Sequence, residues 1–431
     1  MYRVLPVQMV AIATARRRAA SAAALVAIAL AAAAAAPAAS AQESALGKRL
    51  AGAIAGAGAW SGAYVVDADS GRPVLSWRHT TPRILASNTK LFTTAAALAR
   101  YGVRGTLATE VRGTGQLGPR GVWRGPLYLV GGGDPTFGST SFSSRAYGSA
   151  GATVETLATQ LRTAGVRRVA GRVIGDESAF DSLRGGPDSG YGTSIWVGPL
   201  SGLGYNRGLG SEAGTSFQTD PPSFAAARLT DALRARGIVV TGAPRSGQTP
   251  ASADTIAAVE SPPMHRLAAL INKPSDNYAA EMVLKALALQ ANGKGTTAAG
   301  ARIAGRFAKR IGGRPSRLAD GSGLSRLNRA SPYRVVRLLL AMRERDEARP
   351  FMRSLAVAGR DGTLSSRMRS GPARGRCRAK TGTLSGVTAL SGFCRARSGT
   401  LYAYSILMNG VDSYSGRAIQ DSMLQVIAGT R

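Results

Sequence analysis

The sequence predicts an α+β protein with a separate small α/β domain, and three observations carry that reading. Residues 259–342 show helical apolar spacing, broken at Lys273-Pro274-Ser275 and at Asp320-Gly321-Ser322-Gly323. Residues 376–431 read as strand, tight turn, strand, strand and a closing helix from about Ser415 to Ile427. Between 106 and 258 the texture changes to short β-like runs separated by helical stretches.

Taken in order, the first 41 residues stand apart from the fold. Arg16, Arg17 and Arg18 precede an alanine-rich apolar run from Ala19 to Ala36, and Ala39-Ser40-Ala41 supplies small residues for cleavage. That order marks a signal peptide, so 1–41 is expected to be removed and the product exported to the periplasm, the cell-wall space or the medium. No later stretch is long and apolar enough to span a bilayer.

Next, Gly62–Val66 and Pro73–Trp77 read as two strands around Asp67-Ala68-Asp69-Ser70-Gly71. Leu91, Phe92, Ala95 and Leu98 share one face of a helix expected from about Ser87 to Tyr101, with Gly102 as its stop. In the middle segment, Leu127–Val130, Arg172–Ile174 and Ile238–Val240 read as strands, and 153–163 and 224–236 as helices.

Composition narrows the function. The formal net charge is +31, yet an exported protein rarely meets nucleic acid, so anionic wall polymers or a membrane surface are the better partners for a dedicated basic face. Two cysteines and two histidines (His79, His265) leave too little for a structural zinc site or a Ser-His-Asp triad, and no metal or other cofactor is expected. Of the 55 basic residues only Lys48, Lys90, Lys273, Lys285, Lys294, Lys309 and Lys380 are lysines. A lysine kept in such an arginine-rich chain points to work that arginine cannot do, such as losing its proton near neutrality.

Three motifs follow one another: Ser87-Asn88-Thr89-Lys90, Ser275-Asp276-Asn277 and Lys380-Thr381-Gly382-Thr383. Alone, each is weak, and the last two read by default as a turn and a hairpin start. Placement strengthens them. Ser87 sits at a helix start, so Lys90 lies on the same face, close enough to take the hydroxyl proton. The helix N-terminus favours developing negative charge. Ser275 and Asn277 fall in a break between helices, and Lys380–Thr383 lie on a strand whose edge could pair with an extended peptide. Cys377 and Cys394 flank a turn near Ser385-Gly386, so directly opposed pairing sets them, and Lys380 with Ser391, side by side, within disulfide reach.

With these motifs the chain resembles the penicillin-recognising serine enzymes, and more narrowly the class C low-molecular-mass penicillin-binding proteins, the D-Ala-D-Ala carboxypeptidases and endopeptidases. Leu127–Pro135, Gly175-Asp176-Glu177-Ser178 and Asp320–Arg326 match the same family, and the resemblance covers most of the chain after 41. It implies a transpeptidase-like domain split between 44–105 and 259–431, with helices against a five-stranded antiparallel sheet, and an insert at 106–258. It also implies that a further nested domain is absent, because too few residues lie between Asn206 and Pro221.

The implied roles follow the motifs. Ser87 is acylated by the D-alanyl carbonyl, and Lys90 accepts its proton. Ser275, supported by Lys380, passes a proton to the leaving group, and Asn277 holds the substrate amide. Lys380, Thr381 and Thr383 hold the terminal carboxylate, Gly382 completes the motif, and the backbone N–H groups of Ser87 and Thr383 form the oxyanion hole. The expected substrates are peptidoglycan stem peptides, with β-lactams as covalent inhibitors. Only Asp188 stands near the position where the family tends to place an acid for the free end of the stem peptide.

Other residues read as structural: Gly131-Gly132-Gly133-Asp134 as a turn rather than a phosphate loop, His265 as a packing histidine, and Arg326 and Arg329 as two of many arginines. Two other functions share parts of the pattern. A β-lactamase would need a second base for deacylation, but Glu281, Glu344 and Glu347, the glutamates between 277 and 380, include no glutamate–asparagine pair for it. A non-catalytic wall-binding protein would not need every catalytic position intact.

Overall fold

A computed structural model describes residues 44–212 and 214–431; the expected signal peptide lies outside the described residues. The main sheet is antiparallel throughout, in the order Ala356–Val357, Cys377–Leu384, Val387–Arg395, Leu401–Asn409, Ser61–Asp67 and Pro73–Trp77. It has six strands where five were expected, because the two-residue strand Ala356–Val357 adds itself to the edge.

Alternation along the strands gives this sheet two apolar faces. Tyr64, Val66, Ala389, Phe393, Ala403 and Leu407 pack against the helices Thr89–Tyr101, Met264–Asn272, Asn277–Asn292 and Pro332–Arg343. On the other face Ala63, Val65, Leu390, Tyr404 and Ile406 meet Leu46, Leu50 and Ile54 of the helix at 44–54, and Met423, Leu424 and Ile427 of Ser413–Gly429. The sheet is therefore the middle of three layers, the α+β architecture expected.

Residues 108–260 have their own apolar cluster, centred on Val111, Leu129, Leu157, Val173 and Leu229. Around it lie a five-stranded sheet and a four-stranded sheet of mixed direction. Leu127–Gly131 and Val173–Asp176 run parallel, and the helix Val154–Thr163 lies in the connection between them. Expected element ends move by a residue or two; the second helix of this segment begins earlier, at Pro221, because Asp220 caps it and proline suits a first helical turn.

Candidate functional site

Ser87 does not lie in the α-helix itself. It occupies a 3₁₀ turn, Ala86–Asn88, and the helix Thr89–Tyr101 follows directly. Ala86, just before it, has φ of 45°, a left-handed conformation that costs a non-glycine residue about 1–3 kcal/mol. The turn is held by Asn88 N–H donating to Leu85 O (3.1 Å) and Thr89 Oγ1 to Ala86 O (2.9 Å). Asn88 Nδ2 also donates to Lys380 O (3.0 Å), tying the turn to the strand Cys377–Leu384.

Lys90 is fully buried and surrounded by three oxygens. Its Nζ lies 3.0 Å from Ser87 Oγ, 2.7 Å from Asn277 Oδ1 and 2.6 Å from the Ser322 carbonyl. Burial pushes its pKa down to about 8, against the opposing pull of Asp320, Asp276 and Glu281. A neutral amine here donates its two N–H groups to Asn277 and Ser322, and its lone pair is left facing the serine hydroxyl. That arrangement can take a proton from Ser87.

Asn277 is not in the loop, as expected, but is the first residue of the helix Asn277–Asn292, capped by Asp276, whose Oδ1 accepts from Ala279 N–H (2.9 Å). Its Nδ2 donates to Trp196 O (3.1 Å), on a loop from the middle segment where Ile195 and Trp196 are 80% and 65% exposed. Arg207, from the same segment, forms an ion pair with Asp276 and lies over the Tyr278 ring. Ser275 precedes this helix with φ of 65°. Lys90 and Lys380 hydrogen-bond to groups other than Ser275.

Lys380 is fully buried, and its Nζ donates to Thr381 O at 2.8 Å. Burial, and then repulsion from Lys90, holds its pKa well below the usual lysine value. Alternation puts Lys380 and Gly382 on one face of their strand and Thr381 and Thr383 on the other. A Cβ at Gly382 would sit 3.0 Å from Ser87 N and 3.1 Å from Leu85 O, so glycine lets the strand pass close to the Ala86–Asn88 turn. Thr381 Oγ1 donates to Thr363 Oγ1 (2.7 Å), and Arg417 donates to the exposed Thr383 Oγ1 (3.2 Å). The short strand Ala356–Val357 pairs only with Ala379 and Arg378, which leaves the edge from Lys380 onward open among the described residues. Cys377 faces Cys394 and Lys380 faces Ser391, and a disulfide joins the two cysteines.

The matched family model is that of the D-Ala-D-Ala carboxypeptidase 3 (S13) family, over residues 44–195 and 209–430. The chain belongs to that family. Similar to it is the D-alanyl-D-alanine carboxypeptidase of Actinomadura sp. (strain R39), 30% identical over 85% of this chain and 80% of that one. A carboxypeptidase of Mycobacterium tuberculosis is 29% identical over 83% of this chain and 78% of its own length. Among solved structures, penicillin binding protein 4 from Haemophilus influenzae has the same fold, with a TM-score of 0.74 at 21% identity, covering 87% of this chain and 97% of that one.

Sequence reasoning left several neighbours of this candidate site without a role. Ser322 and Asp320 were visible as a helix break and a family stretch, but only the fold carries the Ser322 carbonyl to Lys90. Arg207 and Trp196 had no signal, because they reach Asp276 and Asn277 across 69 and 81 positions of chain. Arg326, read as one of many, donates to Ser385 O at the end of the motif strand. His265 packs as read, with Nδ1 3.0 Å from Val103 O.

Proposed function

We propose that this S13 family peptidase is an exported serine DD-carboxypeptidase and DD-endopeptidase that cleaves after D-alanine in peptidoglycan peptides, with Ser87 as nucleophile. Residues 44–105 and 259–431 make its split catalytic domain, and 106–258 the insert. The reading rests on the 3.0 Å approach of buried Lys90 Nζ to Ser87 Oγ, with both of its other protons taken by Asn277 and Ser322. Ser87 Oγ attacks the D-alanyl carbonyl carbon while its proton passes to Lys90. The oxyanion is received by the Ser87 and Thr383 N–H groups, a contribution of about 3 kcal/mol per donor. The carbon–nitrogen bond then breaks, the leaving amine takes a proton through Ser275, and water hydrolyses the ester. An extended peptide pairs with the open edge at Lys380–Thr383, its carboxylate near Lys380, Thr381 and Thr383 and its amide on Asn277.

Anionic wall polymers or a membrane surface are the further partners. Support comes from the charge of +31 and from a cavity of about 370 Å³ at the far end of the nucleophile helix, lined by Arg104, His265, Arg266, Arg349 and Arg353. No helix among the described residues is long and apolar enough to cross a membrane.

The test is a labelled penicillin followed by mass spectrometry of a digest. A lasting adduct on Ser87, together with repeated turnover of a D-alanyl-D-alanine peptide, is the expected result. Sustained hydrolysis of a chromogenic cephalosporin with no trapped adduct would move the assignment to β-lactamase, and no label at all to a non-catalytic protein. A defined pentapeptide and a cross-linked dimer as substrates separate carboxypeptidase from endopeptidase action.

A further inference from the structure

Two buried carboxylates lie behind Lys90 and take no part in the reaction as drawn. Glu281, four residues along the helix from Asn277, and Asp320 are each 1% exposed. Glu281 Oε1 accepts from the N–H groups of Gly321 (3.0 Å) and Ser322 (2.7 Å). Asp320 accepts from Gly323 N–H (2.8 Å), Ser325 N–H (2.6 Å) and Asn328 Nδ2 (2.7 Å). The carbonyls of the same peptide groups face the nucleophile helix. Gly321 O accepts from Thr93 Oγ1 at 2.9 Å, and Ser322 O from Lys90 Nζ at 2.6 Å.

Each peptide group is thus gripped at both ends. The one joining Gly321 to Ser322 runs from Glu281 to Thr93, and the one joining Ser322 to Gly323 runs from Asp320 to Lys90. A carboxylate on a peptide N–H strengthens the carbonyl at the other end as an acceptor, because hydrogen bonds in a chain polarise one another. Gly323, with φ of 90°, brings this loop so close to the nucleophile turn that a Cβ there would overlap Ala86 O.

We infer that Glu281, together with Asp320, is a positioning residue for the general base, fixing the 320–325 loop so that the Ser322 carbonyl holds the Lys90 amine with its lone pair toward Ser87. The inference rests on Lys90 being the proton acceptor. Packing alone does not account for the pair. Glu281 Oε2 is buried without a hydrogen-bond partner, a cost that a leucine at this place would not carry. Burial raises the pKa of Glu281, and burial together with Glu281 raises that of Asp320 to about 7. The charged groups around them are Lys90 on the nucleophile helix, Asp276 at the head of Glu281's own helix and Lys285 farther along it. The negative charge of the pair opposes the effect of burial on Lys90.

The experiment measures the acylation rate of Ser87 by a labelled penicillin, across pH, in the full exported chain. Wild type comes first: no label on Ser87 there would overturn the nucleophile reading, separately from this one. Glu281→Leu is expected to slow acylation by about 100-fold, the low end of what a positioned general base supplies. Glu281→Gln keeps a carbonyl for both amides and is expected to recover the rate to within about tenfold of wild type. The double variant Glu281→Gln/Asp320→Asn removes the charge of the pair, so Lys90 loses its proton more easily and the acid limb of the pH profile moves to lower pH. A folded Glu281→Leu protein acylated at the wild-type rate, or a Glu281→Gln protein as slow as Glu281→Leu, would overturn the inference. If Glu281→Leu does not fold, the double variant decides, and an unmoved acid limb overturns it.

Discussion

The two walls of the candidate site, one of helix and one of strand, are built on opposite plans. On the helix wall, Ser87, Lys90 and Asn277 are held before any substrate arrives: Lys90 has three oxygen neighbours, and Asn277 spends both ends of its amide on Lys90 and Trp196. On the strand wall, Lys380 is buried with a single carbonyl partner, Thr383 is exposed, and among the described residues no strand pairs with the edge from Lys380 onward. Chemistry needs groups fixed to within a fraction of an ångström, because a transition state does not wait for side chains to find their places. Recognition of an extended peptide needs unspent backbone groups, which the substrate satisfies on arrival. The contrast teaches that preorganisation and vacancy are divided between helix and strand, and that the Ala86–Asn88 turn, tied through Asn88 to Lys380 O, joins them.

The largest expected effect comes from the helix wall. Ser87→Ala should abolish the covalent adduct with labelled penicillin; residual label elsewhere on the chain would dissolve the distinction between the walls. Lys90→Arg retains the cation but cannot lose its proton near neutrality, and acylation should fall by about 10³-fold while thermal stability changes little. Near-normal acylation would make Lys90 a structural cation.

The pH profile sharpens the same point. With Lys90 at about 8, its neutral form grows as pH rises, so acylation should climb about tenfold per unit below that value and level off above it. A profile flat through this range would mean that the base is not Lys90.

Smaller effects belong to the strand wall. Thr381→Val keeps the shape and removes a hydroxyl expected to meet the substrate carboxylate, so KM for a D-alanyl-D-alanine peptide should rise about tenfold with kcat less changed, measured in steady state. An equal fall in kcat would place Thr381 with the fixed groups. Removing the disulfide by Cys377→Ser and Cys394→Ser should cost about 3 kcal/mol of stability in denaturant and leave acylation within a few-fold. A large loss of acylation would show that the bond sets the position of Lys380.

Much of this wall structure was legible before the fold. Short strand-like runs around turn residues gave the strands bearing Tyr64 and Phe393, and the four apolar positions from Leu91 to Leu98 gave the helix Thr89–Tyr101. The turn centred on Ser385-Gly386 put Cys377 opposite Cys394, because antiparallel register follows from the turn alone. The start of the nucleophile helix was less legible. Ser87 lies in a 3₁₀ turn, whose close contacts with the motif strand leave no trace in local spacing.

What the sequence by itself determined is the order of the three motifs and the helices and strand that bear or flank them, since helix and strand periodicity act over a few neighbours. Only the tertiary structure decided which groups surround them: the Ser322 carbonyl on Lys90, Glu281 behind it, Trp196 and Arg207 reaching in from the middle segment, and the free edge beyond Ala379. Lys90 shows why. Its identity is local, but its depressed pKa comes from burial beneath elements more than 180 residues away, and desolvation is a property of the packed whole.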